Sequence, residues 1–252
     1  MIVKPELEKT LRSLRLSGIM TTLPARIQQA SDGAISPLEF FEILLSDEMV
    51  RRRDRLFERR IKLARLDPKY RLDSFDWSFN PKIPKKTICE LATTRFIPEK
   101  ENAIFIGPPG TGKSHLAQAI ALCAITAGYT ALYYQLHDLT GIIAEADVTG
   151  ERKSLLAKLL APNLLVLDDL GLKRLRPQDA EELLEIIMRR YERSSTIMTS
   201  NRPIEDWAKV LGDAATTSAL LDRLMHHAHL IPFHGKSYRM EKSALAKLER
   251  NL

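Results

Sequence analysis

Residues 107 to 114 read Gly107-Pro108-Pro109-Gly110-Thr111-Gly112-Lys113-Ser114, a complete G-x-x-x-x-G-K-[ST] run, and no other stretch limits the fold as tightly. Each fixed position answers a demand of a nucleoside triphosphate. Glycines let the backbone bend so that successive N–H groups face one anion, the lysine brings a mobile positive charge to the β- and γ-phosphates, and the following hydroxyl can ligate Mg²⁺. The flanks agree. Ala103-Ile104-Phe105-Ile106 is a short apolar run that reads as a buried strand, and from Lys113 onward Leu116, Ala117, Ile120, Ala121 and Ala124 recur at helical spacing. The loop therefore opens a helix whose positive end also favours phosphate.

From about residue 85 the chain alternates helical and strand patterns, the signature of a doubly wound parallel sheet, with strands expected at 103–107, 130–135, 163–168, 195–200 and 229–233. The first 70 or so residues carry no strand signal. Leu7, Leu11 and Leu14 form one helical stripe, broken near Ser17-Gly18, and Leu23 and Ile27 form a second. Ser36-Pro37-Leu38-Glu39 is a capping box with proline at the first helical position, so a third helix starts there and ends before Pro68. Between the two regions, Phe75-Asp76-Trp77-Ser78-Phe79 reads as an extended segment whose aromatic side chains dock on the following domain. The expected organisation is a small all-helical basic domain over 1–72, a linker and docking segment over 73–100, and an α/β nucleotide-binding domain over 101–252.

The net charge of +6 is concentrated. Residues 51 to 71 hold ten Lys or Arg against three acids, a local +7 that leaves the rest of the chain at −1. With few acids interleaved for i,i+4 pairing, Arg51, Arg52, Arg55, Arg59 and Lys62 point to a polyanion, most simply nucleic-acid phosphates. Arg152, Lys153 and Lys158, between the second and third strands, are read equally well as lining a DNA channel in an oligomer or as ordinary solvated charges. Charges crowd the amino terminus and the longest apolar stretch is too short for a bilayer, so a cytoplasmic protein is expected. Cys89 and Cys123 are isolated and suggest neither zinc nor a disulfide.

Asn163-Leu164-Leu165-Val166-Leu167-Asp168-Asp169 is an apolar strand ending in two acids. At the carboxyl end of a parallel strand, Asp168 can hold Mg²⁺ together with Ser114, and Asp169 can orient and polarise the attacking water. Asn201 closes the next strand and is either a turn residue or a group that reaches the γ-phosphate. Arg223, after a helical stretch, could bridge to a phosphate, but on sequence alone it reads first as an ion-pair partner of Asp222. His226, His227, His229 and His234 invite a metal reading, weakened because no cysteine lies near and adjacent residues diverge on a helix.

These residues together carry a resemblance. The phosphate loop, the two-acid strand, Thr199-Ser200-Asn201 and Asp222-Arg223-Leu224 resemble an AAA+ ATPase of the initiator and helicase-loader clade, a P-loop parallel sheet sandwiched by helices. More narrowly, Leu14 to Met20, Gly112 to Ala117, Leu220 to His229 and Ser237-Tyr238-Arg239 resemble IstB-type transposition helper ATPases, relatives of the helicase loader DnaC. The resemblance implies ATP and Mg²⁺ as cofactors, contacted by Gly107, Pro108, Pro109, Gly110, Thr111, Gly112, Lys113, Ser114 and His115, with Arg239 as a second-sensor-like arginine. It makes Lys113, Asp168, Asp169, Asn201 and Arg223 the catalytic set, Asn201 sensing the γ-phosphate and Arg223 reaching into a neighbour's site. It also implies double-stranded DNA, a transposase of the same insertion element and an ATP-dependent oligomer as partners. Two departures stand out. Asp169 replaces a more usual glutamate, and only about 20 residues follow the last strand, too few for a full helical lid. A helicase-loader adaptor is the alternative function; a small-molecule kinase would leave the basic helical region without purpose.

Overall fold

The computed structural model describes residues 4–33 and 35–249 and divides into two compact units, Met1–Arg60 and Ile61–Leu252. The first is helical. Helices α1 (Pro5–Ser13), α2 (Ser17–Ser31) and α3 (Pro37–Ala64) enclose a small core of Leu11, Ile19, Leu23 and Leu44. The Ser36–Glu39 box forms as the sequence predicts. Glu39 Oε2 accepts from Ser36 N at 2.8 Å, and Ser36 Oγ accepts from Glu39 N at 3.3 Å. Glu48 then clasps α2 to α3: its buried carboxylate accepts from Gly18 N at 2.6 Å and Ile19 N at 3.2 Å, at the positive end of α2. Burial raises Glu48, but Arg52 and the two N–H groups outweigh it and hold the carboxyl below its ordinary value. Gly18 is required there, because a Cβ would stand 2.7 Å from Glu48 Cα.

The second unit begins inside α3, whose last turn carries Ala64 into the larger core beside Leu66. The division thus falls ahead of residue 72, because Ala64 and Leu66, within the later part of the basic block, are drawn into the other core. Phe75 and Trp77 pack against that core, as the aromatic pattern predicts. The unit continues through α4 (Lys85–Ala92), β1 (Asn102–Ile106), α5 (Lys113–Thr126), β2 (Ala131–Gln135), α6 (Leu136–Thr149), α7 (Arg152–Leu160) and β3 (Leu164–Leu170). It ends with α8 (Pro177–Arg190), β4 (Ser195–Ser200), α9 (Trp207–Leu211), α10 (Ala214–Met225), β5 (Ala228–Pro232) and α11 (Tyr238–Glu249).

The five strands are parallel in the order β2-β3-β4-β1-β5. Alternation sorts the side chains. Ala103 and Phe105 join Val166 and Ile197 in a core against α4 and α5, while Ile104 joins Leu165 and Met198 in a core against α6 to α10. All carboxyl ends of the strands therefore meet along one edge, where ligands bind in such sheets. Among the described residues no helix is long and apolar enough to cross a membrane.

Candidate nucleotide site

The phosphate loop leaves β1 at that edge and turns into α5 at Gly112, whose φ of +103° lies in the left-handed region. A Cβ on Gly112 would meet the Phe75 ring at 2.6 Å, so both conformation and space exclude a side chain. Lys113 is 4 % exposed and folds back, donating to the carbonyls of Gly107 at 2.7 Å and Pro108 at 2.8 Å. Burial lowers its pKa, Asp169 and Asp168 oppose that shift, and Arg239 adds to it. Arg239 lies in the first turn of α11. Tyr238, at the start of α11, donates its N–H to Gly110 O at 3.0 Å.

Asp168, 1 % exposed, is held by three hydroxyls. Ser114 Oγ donates to Oδ1 at 3.0 Å, Tyr133 Oη donates to Oδ2 at 2.7 Å, and Thr199 Oγ1 donates to Oδ1. Burial first, and then the charge and hydrogen bond of Asp168, push the Tyr133 phenol well above its ordinary range. Strand β4 lies between β1 and β3, so Thr199 can serve both acids: its Oγ1 also accepts from Asp169 N at 3.0 Å. The register between β3 and β4 breaks between Leu167 and Leu170, and Asp169 has φ +61°. In a regular strand two successive carboxylates would face opposite sides; the bulge re-aims the second. Burial first, and then the charge of Asp168, raises the Asp169 pKa against Lys113, Arg239 and His137.

Asn201 follows β4, and its Oδ1 is buried without a hydrogen-bond partner, as is His137 Nδ1. A cavity of about 250 Å³ lined by His137, Thr140, Asp169, Lys173 and Arg174 opens beside the second acid. Hard oxygen donors at Ser114 and Asp168, a buried ammonium and an unpaired Asn201 oxygen together fit MgATP. His115 contributes less than the sequence suggests: its Nε2 is 2.8 Å from Arg71 O and its ring meets Tyr70 and Phe75 edge-on, leaving only the backbone N–H for phosphate.

Arg223 lies elsewhere. It pairs with Asp222, stands 5.4 Å over the Tyr191 ring, and neighbours Leu224, whose carbonyl accepts from Asn102 Nδ2 at 3.1 Å. Asn102 begins β1, and five strand residues at ~3.3 Å each put ~17 Å between that edge and the phosphate loop. Arg223 therefore cannot reach its own site.

The expected nucleic-acid residues divide. Arg51 and Arg59 on α3 are exposed, as is Lys62. Arg52 and Arg55 are also exposed but partly engaged, Arg52 with Glu48 at 2.7 Å and Arg55 with Ser17 Oγ at 2.7 Å. Arg152 is not a free channel residue: its guanidinium bridges Glu182 at 2.8 Å, Glu185, and Asp147 at 3.4 Å, tying α7 to α6 and α8. Lys153 beside it is exposed. The roles of Tyr133 and Thr199 toward Asp168 were not legible, since only strand pairing brings their hydroxyls to that acid.

Residues 9–246 match the model of the IstB-like ATP binding protein family. An ATP-binding protein of insertion sequence IS5376 from Geobacillus stearothermophilus is 35% identical over 243 residues, covering 96% of this chain and 97% of its own. One of insertion sequence IS21 from Pseudomonas aeruginosa is 34% identical over 98% of this chain and 93% of its own. Among solved structures, the DnaC helicase loader superposes with a TM-score of 0.54 and 26% identity over 67% of this chain and all of its own. AMPPCP-bound DnaA from Aquifex aeolicus gives 0.58 and 22% over 74% of this chain and 57% of its own, a likeness of fold. With a P-loop AAA+ fold and a family match along nearly its whole length, the chain belongs to the IstB-like ATP binding proteins.

Proposed function

We propose that this chain hydrolyses MgATP while assembled on duplex DNA, and that the assembly assists the transposase of its insertion element. The observation that carries the reading is the split site: loop, Asp168 and Asp169 at one edge of the sheet, Arg223 at the other. A γ-phosphate beside Lys113 needs further positive charge, and only another copy can bring Arg223 to it. Such an arginine contributes ~10³-fold or more to turnover. Supporting the insertion-element context are relatives named for insertion sequences.

When bound, ATP supplies the γ-phosphoryl group and Mg²⁺ the counter-charge on its oxygens. Lys113 turns its ammonium from the loop carbonyls to the β- and γ-phosphates. Ser114 and Asp168 would hold Mg²⁺ through their side-chain oxygens, and the Tyr133 and Thr199 hydroxyls keep Asp168 in place. Asp169 polarises the attacking water, and Asn201 orients it. Exposed Arg51, Arg59 and Lys62 contact DNA phosphates, with Lys153 a further candidate.

The DnaC likeness favours a second reading, a helicase-loader adaptor. ATPase measured with and without duplex DNA, with no helicase present, separates the two. Stimulation by duplex supports the transposition reading; ATPase indifferent to duplex contradicts it.

A further inference from the structure

Outside the nucleotide site, one cluster of ligating side chains is assembled from two distant stretches of chain. Glu192 follows α8; His226 and His227 form the turn between α10 and β5. One donor atom from each lies within 4.8 Å of the others. The expectation that adjacent histidines diverge holds on a helix. Here α10 ends at Met225, and the two rings sit 4.1 Å apart, centroid to centroid.

The surroundings fix the cluster. His227 O accepts from Asn102 N at 2.7 Å, which anchors the turn to the start of β1. The Tyr191 hydroxyl and His226 Nδ1 are 2.8 Å apart, a contact that orients the imidazole as outer partners of metal-bound histidines do. Glu192 has φ +56°, a left-handed conformation that an unbranched glutamate adopts at some cost. His229, by contrast, is engaged with Glu101 at 2.8 Å and stands apart from the group.

We propose that Glu192, His226 and His227 form a Zn²⁺-class transition-metal site. Two imidazoles and one carboxylate are a borderline ligand set with an open fourth position, which Zn²⁺ accepts and Mg²⁺, needing oxygen ligands, does not. The metal staples the turn after α8 to the turn before β5. Because Arg223 rests over Tyr191, it braces the surface that carries that arginine. The site stands independently of the proposed ATPase cycle.

Titration of the full chain with ZnCl₂ against a chromophoric chelator, in millimolar MgCl₂, tests this. One Zn²⁺ per chain is expected, with affinity falling at least tenfold in His226→Ala, His227→Ala and Glu192→Gln. Tyr191→Phe should weaken binding ~10-fold, in the range for outer partners of metal ligands. His229→Ala, His234→Ala and Cys89→Ser should bind as the parent does. Circular dichroism of each variant controls for folding. Absence of stoichiometric Zn²⁺ on the parent chain, or its retention in the His226→Ala/His227→Ala double variant, overturns the proposal.

Discussion

Thr199→Val removes one hydroxyl and little volume, yet Thr199 is fully buried and its Oγ1 serves two acids at once. The Asp168 carboxylate loses a hydrogen bond of the charged kind, worth ~1.5–3 kcal/mol, and the Asp169 N–H loses its acceptor at ~1–3 kcal/mol. Burying a methyl in place of the hydroxyl returns ~1 kcal/mol. A net loss of about 1.5–5 kcal/mol follows, a large fraction of the ~5–15 kcal/mol that holds a domain folded. Urea denaturation should show a lower midpoint at unchanged slope. Thr199→Ser, which keeps the hydroxyl, should lose less than half as much. ATP turnover should fall in the valine variant and survive in the serine variant, because Asp168 and Asp169 share this one support. Valine within 0.5 kcal/mol of the parent, or serine as damaging as valine, would refute the assignment.

Lys113→Ala should lose tight ATP binding by calorimetry, whereas Asp169→Asn should bind ATP and turn over poorly, since a neutral amide cannot polarise water; equal loss of affinity in both contradicts the division of roles. Asp169 must be ionised to act, and burial with Asp168 beside it raises its pKa. The acid limb of kcat/KM should therefore lie above the ordinary aspartate value of 3.8, activity falling as pH drops through the raised value. The same shift makes a negative contribution to stability that grows as pH rises from 3.8 through the raised value, because the unfolded chain then binds fewer protons. An acid limb at or below 3.8 would exclude Asp169 as the base. Arg51→Glu with Arg59→Glu should weaken duplex binding regardless of sequence and flatten its salt dependence by about one unit of slope for every phosphate no longer neutralised; an unchanged slope in a fluorescence-anisotropy titration would place DNA on another surface.

The phosphate loop, the five strands and the capped third helix were legible because each is written in contiguous residues. What escaped is what sheet order decides. Nothing local marks Tyr133, and the Thr199-Ser200-Asn201 strand end does not say that Thr199 serves Asp168, yet β2 and β4 flank β3 and deliver both hydroxyls to that acid. The bulge that turns Asp169 is likewise a property of pairing, not of the sequence Asp-Asp. Arg152 looked free for the opposite reason: its partners Glu182 and Glu185 lie some thirty residues away, on a helix that only the fold brings alongside. The basic block was visible as charge, but not the use of Arg52 and Arg55 within the first unit, nor that apolar Ala64 and Leu66 would draw the end of α3 into the second core.

The most direct test of the split site is complementation. Arg223→Ala should bind ATP without turning it over, and Lys113→Ala should not bind it. In a mixture on duplex DNA, an intact phosphate loop of the first variant can face an intact Arg223 of the second, so ATPase activity should reappear above either variant alone. Mixtures that assemble on DNA by light scattering yet recover no activity would contradict the account and return Arg223 to an ion pair with Asp222.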